Sequence, residues 1–248
     1  MKALITGASS GIGKDMAKEF AKRGYDLVLV ARNTEKLEEV KKSLETKNVE
    51  IISMDLSDEN NCKKLHSMVQ NVDVLINNAG FGTFGEFTKT DLDKEISLIN
   101  TNITALHILT KLYLKDMQEK NKGNILNVAS IAGFMPGPLM ESYYASKAYV
   151  VRLTEGIKAE LKKEKSNVKI SLLCPGPVDT NFNDVAGVKF NLSSLTSEYV
   201  AKYAVKKMLK GKFMIVPGFS VKCARVMSKI VPNPILSKCV YIMQERKR

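Results

Sequence analysis

The 248-residue sequence has no tryptophan, only two histidines (His66 and His107), and four cysteines at positions 62, 174, 223 and 239. No two of these cysteines stand close enough to make a C-x-x-C pair. With no paired cysteines and only two histidines, a Cys/His zinc site is not expected, nor any other metal. The cysteine spacing forms no disulfide framework either, which fits a reducing, cytoplasmic compartment. Long apolar runs are missing too, since none approaches the ~20 residues of a membrane-spanning helix. The opening "MKALITGASSGIG" carries one lysine and a very short apolar run before a glycine turn, less than a signal-peptide core requires. Acidic residues are in short supply, 26 against 38 Lys and Arg, for a net charge of +12. The deficit is uneven: residues 219–248 hold seven basic residues and one glutamate, half of the whole excess. No helix-turn-helix, RNA-binding or zinc pattern accompanies this charge, so no nucleic acid is expected.

What is present is alternation. Short runs rich in Val, Ile and Leu recur at 2–6, 26–31, 50–55, 73–77, 124–130, 168–174 and 212–217. They lack strict polar alternation, as strands buried on both faces of a parallel sheet do. Helical patterns separate them, for example "KDMAKEFAKRG", where Met16, Phe20 and Gly24 suit a helix that ends at glycine. This order predicts an α/β fold: a single doubly wound Rossmann-type domain, with a parallel sheet of about seven strands flanked by helices. The length suits one such domain. The expected division is residues 1–218 as that domain and 219–248 as a basic amphipathic extension.

The first strand runs into "TGASSGIG" (6–13), in which Gly7, Gly11 and Gly13 allow a tight turn. A pyrophosphate can then approach backbone N–H groups at the start of the next helix. The spacing G-x-x-x-G-x-G only partly matches the common dinucleotide fingerprint. "GASSG" also fits the G-x-S-x-G elbow of serine hydrolases. That reading needs a histidine base, yet His66 and His107 fall within helical patterns at 59–70 and 91–117, and the turn follows the first strand instead of a central one. The second strand ends in Ala31 and Arg32, where dinucleotide folds usually carry an acid for the ribose 2′-hydroxyl. A guanidinium there, with no carboxylate, suits a 2′-phosphate.

"ESYYASKAYV" (141–150) places Tyr143 and Tyr144 four and three residues before Lys147. On a helix either ring can share a face with the ammonium, so geometry alone does not choose between them.

Taken together these segments resemble the short-chain dehydrogenase/reductase family, of the smaller classical kind, from Met1 to about Gly218. "TGASSGIG" resembles the family's cofactor turn, "NNAG" (77–80) its motif after the fourth strand, and "NTNITA" (100–105) the segment carrying its active-site asparagine. Ser130, at the end of the fifth strand, stands thirteen residues before Tyr143; "YYASK" supplies Tyr-x-x-x-Lys, and "PGPVDT" (175–180) resembles P-G-x-V-x-T. The interval from Ser130 selects Tyr143 as the catalytic tyrosine and leaves Tyr144 as pocket wall or core.

The resemblance implies hydride transfer between NADP(H) and a carbonyl or alcohol carbon, with Asn102, Ser130, Tyr143 and Lys147 catalytic. Tyr143 would be the general acid in reduction, and Lys147 would lower its pKa and bind the nicotinamide ribose. Ser130 would hold the substrate oxygen, and Asn102 would anchor a water in a proton relay. The implied cofactor contacts are Gly7, Ser9, Ser10, Gly11, Ile12 and Gly13 in the turn, Ala31 and Arg32, and Asp55 and Leu56 at the adenine. Asn78, Ala79 and Gly80 would line the adenosine ribose. Tyr143, Lys147, Val178 and Thr180 would meet the nicotinamide end. A homodimer or homotetramer is expected.

Phe134, Met135, Leu139, Met140, Phe182, Val185 and Phe190 give the substrate pocket an apolar wall, favouring a small hydrophobic ketone, aldehyde or alcohol. In residues 219–248, Pro232 and Pro234 split two amphipathic helical patterns. Two uses compete for them. They can pack over the pocket or on a partner subunit, or they can lie on an anionic membrane as peripheral anchors. In the extreme form of the second reading, the protein binds membrane with a vestigial Rossmann core; the intact Ser–Tyr–Lys set weighs against that.

Overall fold

The structure, a computed structural model, describes residues 1–46, 48–180 and 194–245. In chain order the first half runs β1 (Lys2–Thr6), α1 (Gly11–Ala21), β2 (Asp26–Ala31), α2 (Thr34–Lys42), β3 (Val49–Ser53), α3 (Glu59–Met68) and β4 (Val74–Asn77). Next come α4 (Leu92–Ile99), a π-helical turn (Asn100–Ala105), α5 (Leu106–Glu119), β5 (Asn124–Val128), a 3-10 turn (Ile131–Phe134), α6 (Glu141–Lys163) and β6 (Lys169–Leu173). The short strands β7 (Val178–Asp179) and β8 (Leu195–Thr196) precede α7 (Ser197–Leu209), β9 (Met214–Ile215), α8 (Phe219–Ile230) and α9 (Asn233–Glu245).

All seven expected strands form one parallel sheet in the order β3-β2-β1-β4-β5-β6-β9, while β7 and β8 pair separately. The apolar runs need no polar alternation because each strand feeds two cores. Ala3 and Ile5 of β1 face the layer built by Met16, Phe20, Val200 and Ala204, whereas Leu4 between them faces Leu65, Leu109 and Tyr113. Successive side chains of a strand point to opposite faces, so a strand covered on both sides must be apolar throughout.

The order reverses between β1 and β4, whose strand ends open the crevice where such sheets bind ligands. A buried polar ladder fixes the helices around this point. Asn77 of β4 donates to Thr110 of α5 (2.9 Å) and to Asn127 of β5 (3.0 Å), and Asn127 donates to Thr154 of α6 (3.1 Å). Helix α6 is thereby tied to the sheet one residue from the crevice.

Several boundaries differ from expectation. The fifth strand stops at Val128, so Ser130 does not close it; Ser130 is the N-cap of the 3-10 turn, accepting from Ala132 N. The run at 212–217 pairs only through Met214 and Ile215. Helix α1 ends at Ala21, with Gly24 in the left-handed region (φ 72°) completing the turn beyond it. The single helical pattern over 91–117 contains the π turn, which apolar periodicity does not reveal.

Candidate active site

The glycine turn is held from below by β4. Thr6 Oγ1 accepts from the main-chain N–H groups of Asn78 and Ala79 (both 3.0 Å), and Asn78 Nδ2 donates to the carbonyls of Thr6 (3.0 Å) and Gly7 (3.1 Å). The approach leaves no room for side chains. A Cβ on Gly7, which has a φ of 63°, would stand 2.8 Å from Asn78 and 2.9 Å from Ala79. Above the turn, Ser10 precedes α1 in extended conformation and its side chain makes no capping hydrogen bond. The N–H groups of the first helical turn therefore face the crevice, which is the donor set an anionic group requires.

Across the crevice, α6 presents Tyr143 and Lys147. Lys147 is buried, donates to the carbonyl of Val128 (3.0 Å), and has its Nζ 5.7 Å from the centre of the Tyr143 ring. Burial disfavours its charge and lowers its pKa to about 8. Burial also acts on Tyr143, pushing the phenol up to about 12, against the opposing pull of a hydrogen bond with Ser130. The resemblance implies a lowering by Lys147; in this structure desolvation is the largest influence on the phenol, and it acts upward. Ser130 itself is buried, with Oγ at 3.2 Å from Ala132 N and 3.5 Å from the Pro175 carbonyl. Tyr144, its hydroxyl accepting from Gln244 Nε2 (2.7 Å), belongs to the packed wall behind Tyr143.

A single cavity of about 1150 Å³ joins these parts. Of the residues singled out in the sequence, Gly7, Ser9, Ser10, Gly11, Ile12, Ala31, Arg32, Asp55, Leu56, Asn78, Ala79, Gly80, Ser130, Tyr143, Lys147, Val178 and Thr180 line it. Gly13 and Asn102 stand behind its wall. Gly13 lies under the turn, where a Cβ would meet the Gly7 carbonyl at 2.3 Å. Asn102 is fully buried within the π turn; it accepts from Phe81 N (3.0 Å) and donates to Phe81 O (2.9 Å) and to Ser146 Oγ (3.0 Å).

Among the expected apolar wall residues, Met135 and Met140 line the cavity and Phe134 and Leu139 do not. Phe134 packs beneath the Arg225 guanidinium (5.1 Å), and Leu139 turns into the core with a φ of 64°. Phe182, Val185 and Phe190 lie outside the described residues. Sequence reading missed Lys36, which lines the cavity beside Arg32. The signal was there: Asn33 caps α2 by accepting from Lys36 N, and that cap brings Lys36 one turn above Arg32. Packing of the tail over the pocket, one of its two expected uses, is seen in part, for Val221, Ala224, Met227, Leu236, Cys239, Val240 and Met243 complete the apolar wall.

A family model described as short chain dehydrogenase matches residues 1–188. The chain belongs to the short-chain dehydrogenase family. Among its relatives, a very-long-chain 3-oxoacyl-CoA reductase from Danio rerio is 37% identical over 74% of this chain, which spans 61% of that relative's length. A short-chain dehydrogenase from Sphingobium yanoikuyae, solved in complex with NADPH, is similar at 30% identity with a TM-score of 0.82, over 93% of this chain and 96% of that one. A short-chain dehydrogenase/reductase from Burkholderia phymatum, solved with NAD, superposes with a TM-score of 0.84 at 25% identity, over 91% and 92% of the two chains. These two solved neighbours hold different nucleotides, NADPH in one and NAD in the other.

Proposed function

We propose that the protein is an NADPH-dependent oxidoreductase that reduces a ketone or aldehyde of a hydrophobic substrate, or oxidises the matching alcohol. The observation that carries this reading is one cavity lined at one end by the glycine turn, Arg32 and Lys36, in its middle by Ser130, Tyr143 and Lys147, and beyond them by apolar side chains. At about 1150 Å³ it exceeds the roughly 300–1,000 Å³ of a pocket for one small ligand. The uncapped start of α1 and the glycines that exclude a Cβ fit a pyrophosphate against backbone amides. Between Ala31 and Lys36 the charged residues that line the cavity are the cations Arg32 and Lys36, while Glu35 does not line it, and this pair favours a 2′-phosphate over a bare 2′-hydroxyl.

A bound nicotinamide supplies the hydride. The protein's own part is the proton. Tyr143, whose phenol is neutral at pH 7, gives its proton to the carbonyl oxygen, while Ser130 hydrogen-bonds that oxygen and the phenol. Lys147 sits close enough for its charge to offset the phenolate left behind. We assign Asn102 the positioning of the Gly80–Phe81 wall in place of direct contact with the substrate. The resemblance to a very-long-chain 3-oxoacyl-CoA reductase makes long 3-oxoacyl thioesters the first substrate class to try, followed by aryl and alicyclic ketones.

Arg32→Asp tests the cofactor assignment. A charge-assisted hydrogen bond of about 1.5–3 kcal/mol is roughly ten- to a hundredfold in affinity. The wild type should prefer NADPH by that order, and the variant should turn to NADH; equal kcat/KM with both nucleotides in the wild type would refute the preference.

A further inference from the structure

The helices α8 and α9 show their apolar faces to the outside. On a helical wheel, at 100° per residue, Phe219, Cys223, Val226 and Ile230 of α8 fall within about 60° of one another. That stripe is the solvent side: Phe219 is 81% exposed, Ile230 70% and Val226 53%. The residues that reach the cavity, Val221 and Ala224, lie on the opposite side of the same helix. Helix α9 repeats the arrangement, with Leu236, Val240 and Gln244 turned inward and Ile235 and Ile242 outward, while Cys239 between the two sides is exposed and also lines the cavity. Lys222 and Lys229 flank the first stripe on one edge, and Lys238 flanks the second. A helix that needs only to cover a pocket has no use for a second apolar face toward water.

We propose that this double stripe rests on an anionic lipid surface. Apolar side chains with lysines along their edge are the composition of a helix lying in the plane of a bilayer interface. Among the described residues no helix is long and apolar enough to cross a membrane, so the contact is peripheral. A second copy of the chain is the poorer occupant, because two-fold pairing through this face opposes two segments that each carry seven basic residues and one acid. Met227 and Met243 line the cavity and are also exposed, so the docked face carries the cavity's rim and a lipid-soluble compound can enter without crossing water. This inference does not rest on the nucleotide assignment, and its readout is vesicle binding.

The test is flotation of the purified full-length protein with vesicles of phosphatidylcholine, with and without phosphatidylglycerol, at low and high salt. The protein should float with the anionic vesicles at low salt and much less in the other conditions. A lysine near an anionic surface is worth about fivefold in binding, so Lys222→Gln, Lys229→Gln and Lys238→Gln together should weaken it about a hundredfold. All three lysines are exposed, so this variant keeps the fold. Ile230→Glu with Ile242→Glu should abolish flotation while the protein elutes at its wild-type size. Absence of flotation with anionic vesicles at low salt overturns the proposal. So does an isoleucine variant that leaves flotation intact but splits an oligomer into smaller species, which would assign the face to a second copy.

Discussion

Lys147 is buried and Tyr143 half-buried, and desolvation moves their titrations apart: the phenol up to about 12, the ammonium down to about 8. Near neutral pH the tyrosine is therefore the proton holder, and Lys147 is the group that changes charge first as pH rises. If reduction needs the ammonium, kcat/KM should fall above a midpoint near 8, well before the phenol ionises. A pH–rate profile of the free enzyme checks this, and a rate unchanged up to the phenol's own range would contradict it. Tyr143→Phe should lower turnover by roughly 10²–10⁴-fold with little loss of nucleotide affinity, since it deletes the donor and almost no contact area. Tyr144→Phe should spare the chemistry. Its hydroxyl faces Gln244, and the residue order alone could not show this, because both tyrosines come within reach of Lys147 on one helix.

At the scale of elements, the packing around α6 decides where those side chains point. Gly133 in the 3-10 turn touches α6 so closely that a Cβ would meet the Lys147 carbonyl oxygen at 2.6 Å. Gly133→Ala must push helix or turn aside, a strain of about 1–3 kcal/mol. It should lower Tm by several degrees and reduce activity more than cofactor binding. Helix α9 is latched by the buried pair Gln244–Tyr144, whose amide oxygen has no partner among the described residues. Losing one member strands the other, at roughly 1–3 kcal/mol, whereas losing both approaches neutrality. Hydrogen exchange in α9 should thus rise in Tyr144→Phe and recover in the double variant with Gln244→Leu; additive effects would deny the latch.

Much of this level was legible in the sequence. Continuous Val/Ile/Leu runs mark strands covered on both faces, and the seven of them appear in one sheet. The π turn at Asn100–Ala105 was not legible, since one extra residue in a turn leaves apolar periodicity almost unchanged. Nor was the direction of the C-terminal stripes. A helical wheel separates faces but does not say which one turns inward, and here the more apolar face of α8 is the outer one.

Across the whole molecule, the reversal of strand order between β1 and β4 brings the glycine turn, Ser130 and α6 to one crevice. Segments more than a hundred residues apart could be assigned to one site from the sequence because their motifs together resemble those of the family. The apolar wall contributed by α8 and α9 had no such marker, and it determines what the cavity accepts. The central claim is that hydride passes from NADPH to the carbonyl carbon of a hydrophobic substrate in this cavity. It is tested most directly with NADPH carrying deuterium at the nicotinamide C4, incubated with the enzyme and a long-chain 3-oxoacyl thioester or an aryl ketone. The predicted alcohol carries deuterium on its carbinol carbon when made by the wild type and is almost absent with Tyr143→Phe. Nucleotide binding without formation of any labelled alcohol across the substrate panel would contradict the account.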